Sequence, residues 1–336
     1  MAGDRDLDVA FARARWAGRP KASGWEVAAA TGVRGLRLLN ESGVFDRFRL
    51  TEAHPEAAEV LLRNAAGIPG ATAVCADGRV PPVSSAFDYV EVDPYGSPVP
   101  FVDAALRAVR PGGVIGATAT DMMVLAGAQR GAAERRYGAR PVRGRLGPEG
   151  GVRILLAYLA REARARGLGV RPLVAYVRDH HVRAYVEVTE GGSPDADTVG
   201  EIHPDRWDGP DVGADGPFGP MWLGPLFDPD LVRRLALPST AAEPRATAQF
   251  LDRLREEVEV DRPFYYEGNV LAHRLAIAAP PPLAAILGAL RRTGYRAART
   301  HARPEGFRTD APRGQVEAVV RRLAGPDQSQ KARVRA

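Results

Sequence analysis

Residues 25–42 read WEVAAATGVRGLRLLNES, and this stretch decides the fold. Residues 25–30 form a short apolar run ending in Thr31-Gly32, after which Leu36, Leu38 and Leu39 recur at helical spacing. A strand that turns into a helix through glycine opens an α/β unit. The rhythm continues outward from there. Residues 48–51 predict a second strand closed by Glu52, 55–64 a helix with proline near its first turn, 71–75 and 87–92 two more strands, 99–109 a helix and 114–118 a fifth strand. Such alternation builds a parallel, doubly wound sheet. A helix over 151–166 and an antiparallel hairpin of 170–177 with 182–188 then close it.

The 336 residues exceed what one core usually serves, so the expected organisation has several parts. These are a catalytic domain over 1–190, a Gly/Pro/Asp-rich linker over 191–240, a smaller α+β domain over 241–325 and a disordered tail over 326–336. In the second domain, helices at 246–258, 270–277 and 282–293 precede a hairpin of 295–301 with 306–310. With Arg291, Arg292, Arg296, Arg299, Arg303 and Arg308, this order resembles a winged helix, although such units also serve as protein contacts. Residues 121–148 hold no clean strand, several glycines and many arginines, and are read as a functional lid.

One cysteine, Cys75, excludes a disulfide scaffold and any multi-thiolate metal site, and it is expected in the core. No apolar run approaches the roughly 18 residues of a membrane helix, and the first residues lack the form of a signal peptide. A soluble, cytoplasmic protein, monomeric and without metal, is expected. The net charge of +5 is a cancelled sum: residues 1–129 carry −2, 130–183 carry +9, 184–282 carry −10 and 283–336 carry +8. Two separate basic blocks suit a polyanion held at two places.

Thr31-Gly32-Val33-Arg34-Gly35 lets the backbone approach a ligand at a helix N-terminus. Glu52, twenty residues after Gly32 and at the end of the second strand, is placed to accept from both hydroxyls of a ribose. Asp77-Gly78 ends the third strand, where Asp77 can accept from an adenine amino group. A dinucleotide would satisfy the same loops, and the fourth strand decides against it. Asp93-Pro94-Tyr95-Gly96-Ser97 suits amine methylation. An acid and a carbonyl accept the two amine protons and turn the lone pair outward, while an aromatic ring stacks on an extruded base. His180 and His181 are read as solvated residues of the hairpin turn.

With DPYGSPVPFVDAALRAVRPGGVIGATATD at 93–121, RRYGARPVRG at 135–144 and GYRAARTHARPEGFRTDAP at 294–312, the sequence resembles the tRNA (guanine-26) dimethyltransferases. The resemblance runs in register from about residue 4 to 323. It implies a class I Rossmann-like methyltransferase sheet, S-adenosyl-L-methionine as methyl donor and tRNA as partner. It also implies catalysis by Asp93 framed by Pro94, Tyr95 and Gly96, and cofactor contacts from Arg5, Thr31, Gly32, Arg34, Glu52, Asp77 and Gly78. Thr120 and Asp121 would close the substrate side, and Arg135, Arg136, Arg143, Arg296 and Arg299 would hold tRNA. The family's N-R-D motif falls on Asp4-Arg5-Asp6, its F-Y-N-P segment would precede residue 1, and its L-C-G-A-H is here Leu125-Ala126-Gly127-Ala128-Gln129. The cofactor site and base geometry are therefore expected intact, with an altered lid. Two other readings use the same residues: a paralogue that binds tRNA without methylating it, and a methyltransferase acting on another RNA guanine or a protein amine.

Overall fold

The computed structural model describes residues 2–19, 21–83, 86–191, 198–260 and 262–325. At its centre lies a seven-stranded sheet of β1 (Ala22–Glu26), β2 (Phe45–Glu52), β3 (Ala71–Cys75), β4 (Phe87–Val92), β5 (Val109–Ala119), β6 (Leu168–Arg178) and β7 (His181–Glu190). Their order is β3-β2-β1-β4-β5-β7-β6, parallel through β5 and antiparallel where β7 pairs with β5 and β6. The expected alternation and closing hairpin are both present. Packed on the sheet are α1 (Ala2–Arg15), α2 (Val33–Ser42), α3 (Pro55–Ala65), α4 (Val99–Ala108) and, after the short α5 (Met122–Leu125) and α6 (Arg130–Tyr137), the long α7 (Gly147–Arg164).

Local chemistry explains the central layer. β1 is buried along its whole length, and the Trp25 indole N–H donates to Thr51 Oγ1 at 2.9 Å, so its one polar atom is satisfied. Gly24 is required because a Cβ there would stand 2.2 Å from the Phe48 ring. α2 starts at Gly32, whose φ of 81° is left-handed and whose Cβ would strike Leu61. α3 starts with Pro55 in its first turn, where a missing N–H costs nothing. The crossover from β3 back past β1 to β4 creates a switch in strand order, and open α/β sheets bind ligands outside the carboxyl ends of the strands at such a point.

Three features in the first 240 residues differ from the sequence reading: α1, the exposure of Cys75 and the stretch over 191–240. α1 was not anticipated, because its acids Asp4, Asp6 and Asp8 look solvated in sequence yet are all buried. Cys75 lies in the predicted strand but is exposed, since β3 is the sheet edge, so its core assignment is corrected. Within 191–240, β8 (Val199–Ile202) pairs with β9 (Phe218–Trp222), and α8 (Pro229–Arg234) follows; Met221, Trp222, Leu226 and Leu231 belong to the main apolar cluster. The structured part of this stretch therefore packs like a domain rather than running as a linker, and residues 192–197 lie outside the described set.

The C-terminal elements are α9 (Pro244–Glu257), β10 (Tyr266–Glu267), α10 (Gly268–Arg274), α11 (Leu283–Arg292), β11 (Ala297–Arg299), β12 (Gly306–Thr309) and α12 (Arg313–Ala324). The predicted hairpin pairs Ala298 with Arg308, and β10 joins β12 to make three strands. Leu251 and Leu254 of α9 and Val258 just after it pack in the main cluster, while a separate cluster gathers residues from Tyr266 onward. The sequence reading did not mark α12 at all, and the expected tail over 326–336 falls outside the described residues.

Candidate active site

The carboxyl ends of β1 and β4 surround a cavity of about 680 Å³. Arg5, Thr31, Arg34, Asp93, Pro94, Tyr95, Gly96, Thr120 and Asp121 line it, so nine of the expected site residues converge. Gly32, Glu52, Asp77 and Gly78 are not among its lining residues. Glu52 instead shapes the rim: its carboxylate accepts from the backbone N–H of Ala30 at 2.8 Å and of His54 at 2.9 Å. Ala30 is thereby held at φ 48°, a left-handed conformation that non-glycine residues rarely adopt and that clusters at ligand sites. Asp77 sits in an exposed ion pair with Arg79 at 2.6 Å, and the Arg79 hydrogen bonds hold its carboxyl below the usual range. At Gly78 a Cβ would stand 1.8 Å from the Val27 carbonyl oxygen, so only glycine lets this turn meet the end of β1.

Asp93 follows β4 directly, and its Oδ2 accepts from Arg34 Nη2 at 2.5 Å. Burial opposes its ionisation, but Arg34, Arg183 and the Thr118 hydroxyl outweigh burial and hold its carboxyl below the ordinary value. Arg34 is itself buried and also donates to Asp8 of α1. Arg183 of β7 completes the cluster by donating to Glu91 Oε2 at 2.7 Å, Thr118 at 2.8 Å and Asp8 at 2.9 Å. Glu26, paired with Glu91 across β1 and β4, accepts from the Gly35 N–H at 3.0 Å. Burial, and then the Glu91 charge, push the Glu26 carboxyl well above its usual range. Thus the carboxyls of two acids lining the cavity are pushed in opposite directions, Asp93 down and Glu26 up.

Beyond Asp93, Gly96 N–H donates to Thr120 Oγ1 at 2.8 Å, which pins the turn. Asp121 accepts from the Tyr137 hydroxyl at 2.9 Å and pairs with Arg136 at 2.6 Å, tying α6 to the mouth. Tyr95 points its ring fully into solvent. Arg135 and Arg143 are exposed and make no hydrogen bond or ion pair among the described residues, whereas Arg296 pairs with Asp310 at 2.9 Å. Arg299 is exposed on β11.

Sequence reasoning missed Asp8, Glu26, Glu91 and Arg183. It also misplaced two residues. His181 is buried against Asp4 at 3.2 Å rather than solvated, because the turn is two residues shorter than expected and His181 opens β7. His180 is exposed and lines the cavity. Arg308 is buried between Glu149 and Glu257 and has no face to offer a nucleic acid. Among the described residues no group of three or more His, Cys, Asp or Glu could hold a metal ion, and no helix is long and apolar enough to cross a membrane.

Comparison with known proteins matches the family described as TRM: N2,N2-dimethylguanosine tRNA methyltransferase over residues 1–202 and 213–321. A tRNA (guanine(26)-N(2))-dimethyltransferase of Thermococcus kodakarensis is 41% identical over 251 residues, 70% of this chain and 65% of that protein. One from Pyrobaculum arsenaticum is 34% identical over 331 residues, 96% of this chain and 89% of that protein. The aligned part thus spans just under two thirds of the Thermococcus relative and most of the Pyrobaculum one. The solved complex of Trm1 from Pyrococcus horikoshii with S-adenosyl-L-methionine superposes with a TM-score of 0.84 at 30% identity, covering 96% of this chain and 93% of that one. By its matched residues, its sheet order and this superposition, the chain belongs to the N2,N2-dimethylguanosine tRNA methyltransferase family.

Proposed function

We propose that this chain is a cytoplasmic tRNA methyltransferase that moves one or two methyl groups from S-adenosyl-L-methionine to the exocyclic amine of guanine at tRNA position 26. The observation that carries the reading is Asp93, held in an ion pair by Arg34, beside a fully exposed Tyr95 ring at the cavity.

The residues present fit the methyl donor. Gly32 and Gly78 let the turns after β1 and β3 close tightly, where a Cβ would strike Leu61 or the Val27 carbonyl, and Ala30 on the cavity wall is held in a strained turn by Glu52. Arg5, Thr31, Arg34, Glu52, Asp77 and Gly78 would hold it, and when bound it would supply an electrophilic methyl group whose bond to sulfur breaks with the electron pair left on the sulfur, giving a neutral thioether. The guanine amine is neutral, with its lone pair delocalised into the ring. Asp93 accepts one amine proton and the Pro94 carbonyl the other, which turns the lone pair toward the reacting carbon. As the new nitrogen–carbon bond forms, Asp93 takes the proton that the nitrogen loses. Arg34 keeps Asp93 charged beforehand, and Thr120 fixes the turn that presents Tyr95. Transfer of labelled methyl groups to tRNA transcripts tests the reading. Guanine at position 26 is the expected acceptor, and equal transfer to a transcript with adenine there would overturn it.

Tyr95→Ala is expected to lower kcat/KM roughly tenfold to a hundredfold, because stacking a base on an aromatic ring contributes about 1–3 kcal/mol. Tyr95→Phe keeps the ring and should stay near wild type; steady-state kinetics separates the two. For the tRNA body we propose two contacts, one around Arg135, Arg136 and Arg143 and one around Arg296 and Arg299. Neutralising Arg135 with Arg136, or Arg296 with Arg299, should each weaken tRNA binding and flatten its dependence on salt by about one to two counterions. Filter binding across a salt series reads the slope, and an unchanged slope in both double variants would remove the two-contact arrangement.

A further inference from the structure

A second cavity, of about 450 Å³, lies away from Asp93 between the turn at 143–146, the segment 210–218 and the C-terminal elements β10, α10 and α12. Its walls include Leu146, Val212, Phe218, Tyr266 and Leu271, and its volume is in the range of pockets that hold a small organic ligand. Glu267 also lines it and is almost wholly buried. One Glu267 oxygen is engaged by Arg145, whereas Oε1 has no hydrogen-bond partner among the described residues. Buried carboxylate oxygens are ordinarily satisfied, and this one, which has almost no accessible surface of its own, is left without a donor just beneath the cavity wall, where a turn of the side chain brings it to a ligand. At the mouth, Arg143 is exposed and makes no hydrogen bond or ion pair among the described residues, and Arg145 keeps more than half of its side chain in solvent.

An apolar slot, an acceptor for N–H groups and guanidinium groups at the rim together describe one ligand chemistry. The slot takes a planar ring, the carboxylate accepts from its amine or imine edge, and the arginines meet a phosphate. Resting on the reading that this chain acts on tRNA, we propose that this cavity takes a second, unpaired nucleotide of the tRNA, distinct from the one that is methylated. Its base carries N–H donors on its pairing edge, and Arg143 and Arg145 hold its phosphate. The tRNA would then be gripped by one extruded base at each of two cavities, which fixes the angle at which its body lies on the protein. Glu267 here is a binding residue and takes no part in methyl transfer.

The test uses the full chain, wild-type tRNA transcript and two variants. Glu267→Gln turns an acceptor of charge into a weaker, mixed group, and Val270→Phe fills the slot while leaving Glu267 in place. In both, KM for tRNA is expected to rise about tenfold, the size of one lost charged hydrogen bond, with kcat and S-adenosyl-L-methionine affinity unchanged. Transcripts carrying a single abasic site away from position 26 should reproduce that rise at one position in the wild-type enzyme and add nothing further in Val270→Phe. Folding of each variant is checked by thermal unfolding. If wild type methylates tRNA while KM is unchanged in both folded variants, the second cavity does not hold a nucleotide and this proposal falls alone. If wild type neither binds nor methylates tRNA, the reading beneath it falls first.

Discussion

Asp93→Ala is expected to cut methyl transfer about 10²–10⁴-fold while S-adenosyl-L-methionine still binds, the range typical of removing a positioned acid–base group. The carboxylate lies within 2.5 Å of Arg34 and is held charged by it, so its loss removes both the acceptor that orients the amine and the group that takes its proton. Asp93→Asn separates these roles. The amide oxygen still accepts a hydrogen bond but takes no proton at neutral pH, so kcat should fall further than tRNA affinity. Single-turnover transfer with equilibrium binding of the cofactor distinguishes chemistry from binding, and wild-type kcat in either variant would remove Asp93 from the mechanism. The sign of the pH dependence follows from the depressed carboxyl. Asp93 stays ionised as pH falls through the ordinary Asp value of about 3.9, so protonating it does not limit kcat/KM in the neutral or mildly acidic range.

Arg308→Met is expected to destabilise the fold by about 3–5 kcal/mol, the usual effect of breaking a buried ion network from one side. Arg308 of β12 donates to Glu149 of α7 at 2.8 Å and at once to Glu257 of α9 and the Phe264 carbonyl, with all three charged side chains buried. Removing the guanidinium leaves Glu149 with Arg153 and the Phe264 N–H, and Glu257 with His301 and the Thr300 hydroxyl. Urea unfolding monitored by circular dichroism reads the change, and Arg299→Ala, on an exposed site, should leave the midpoint in place. A loss below about 1 kcal/mol would mean that water enters the cluster. Glu257 adds a pH signature. Burial opposes its charge, but His301 and Arg308 hold its carboxyl far below the usual range. Its stabilisation is therefore complete above the unfolded Glu value of about 4.3 and is lost as pH falls below it toward the depressed folded value.

Much of the catalytic sheet was legible because its signals are local. β3 and β4 begin and end where the alternation of apolar residues predicts, and Asp93 stood out because an acid, a proline and an aromatic end a strand together. What escaped is non-local. Glu26, Glu91 and Arg183 look like the solvent-facing half of a strand pattern, and only when β7 is laid beside β5 does Arg183 reach Glu91 across the sheet. Arg308 carries the same lesson: its basic neighbours suggested a nucleic-acid face, yet its partners are 159 and 51 residues away in the chain. The stretch over 191–240 was misleading for another reason. Gly and Pro give it a loop's composition, but the Ala175 and Asp228 N–H groups bond across to the Leu226 and Leu173 carbonyls, and that pairing fastens it to β6.

The three acids of α1 also set an order of events during synthesis. Asp8 meets Arg183 and Tyr185 175 and 177 residues later in the chain, and Asp6 accepts from the Ala242 N–H, 236 residues later. On a ribosome this helix emerges early, with Arg34 and Arg37 of α2 soon at hand for Asp8 and Asp6, but its remaining partners arrive when the hairpin of β6 and β7 leaves the exit tunnel. Contacts so far apart in sequence form slowly. Asp93 inherits that delay, because its partner Arg34 also serves Asp8. The ion network around Asp93 is thus completed late and cooperatively, once β7 has joined the sheet.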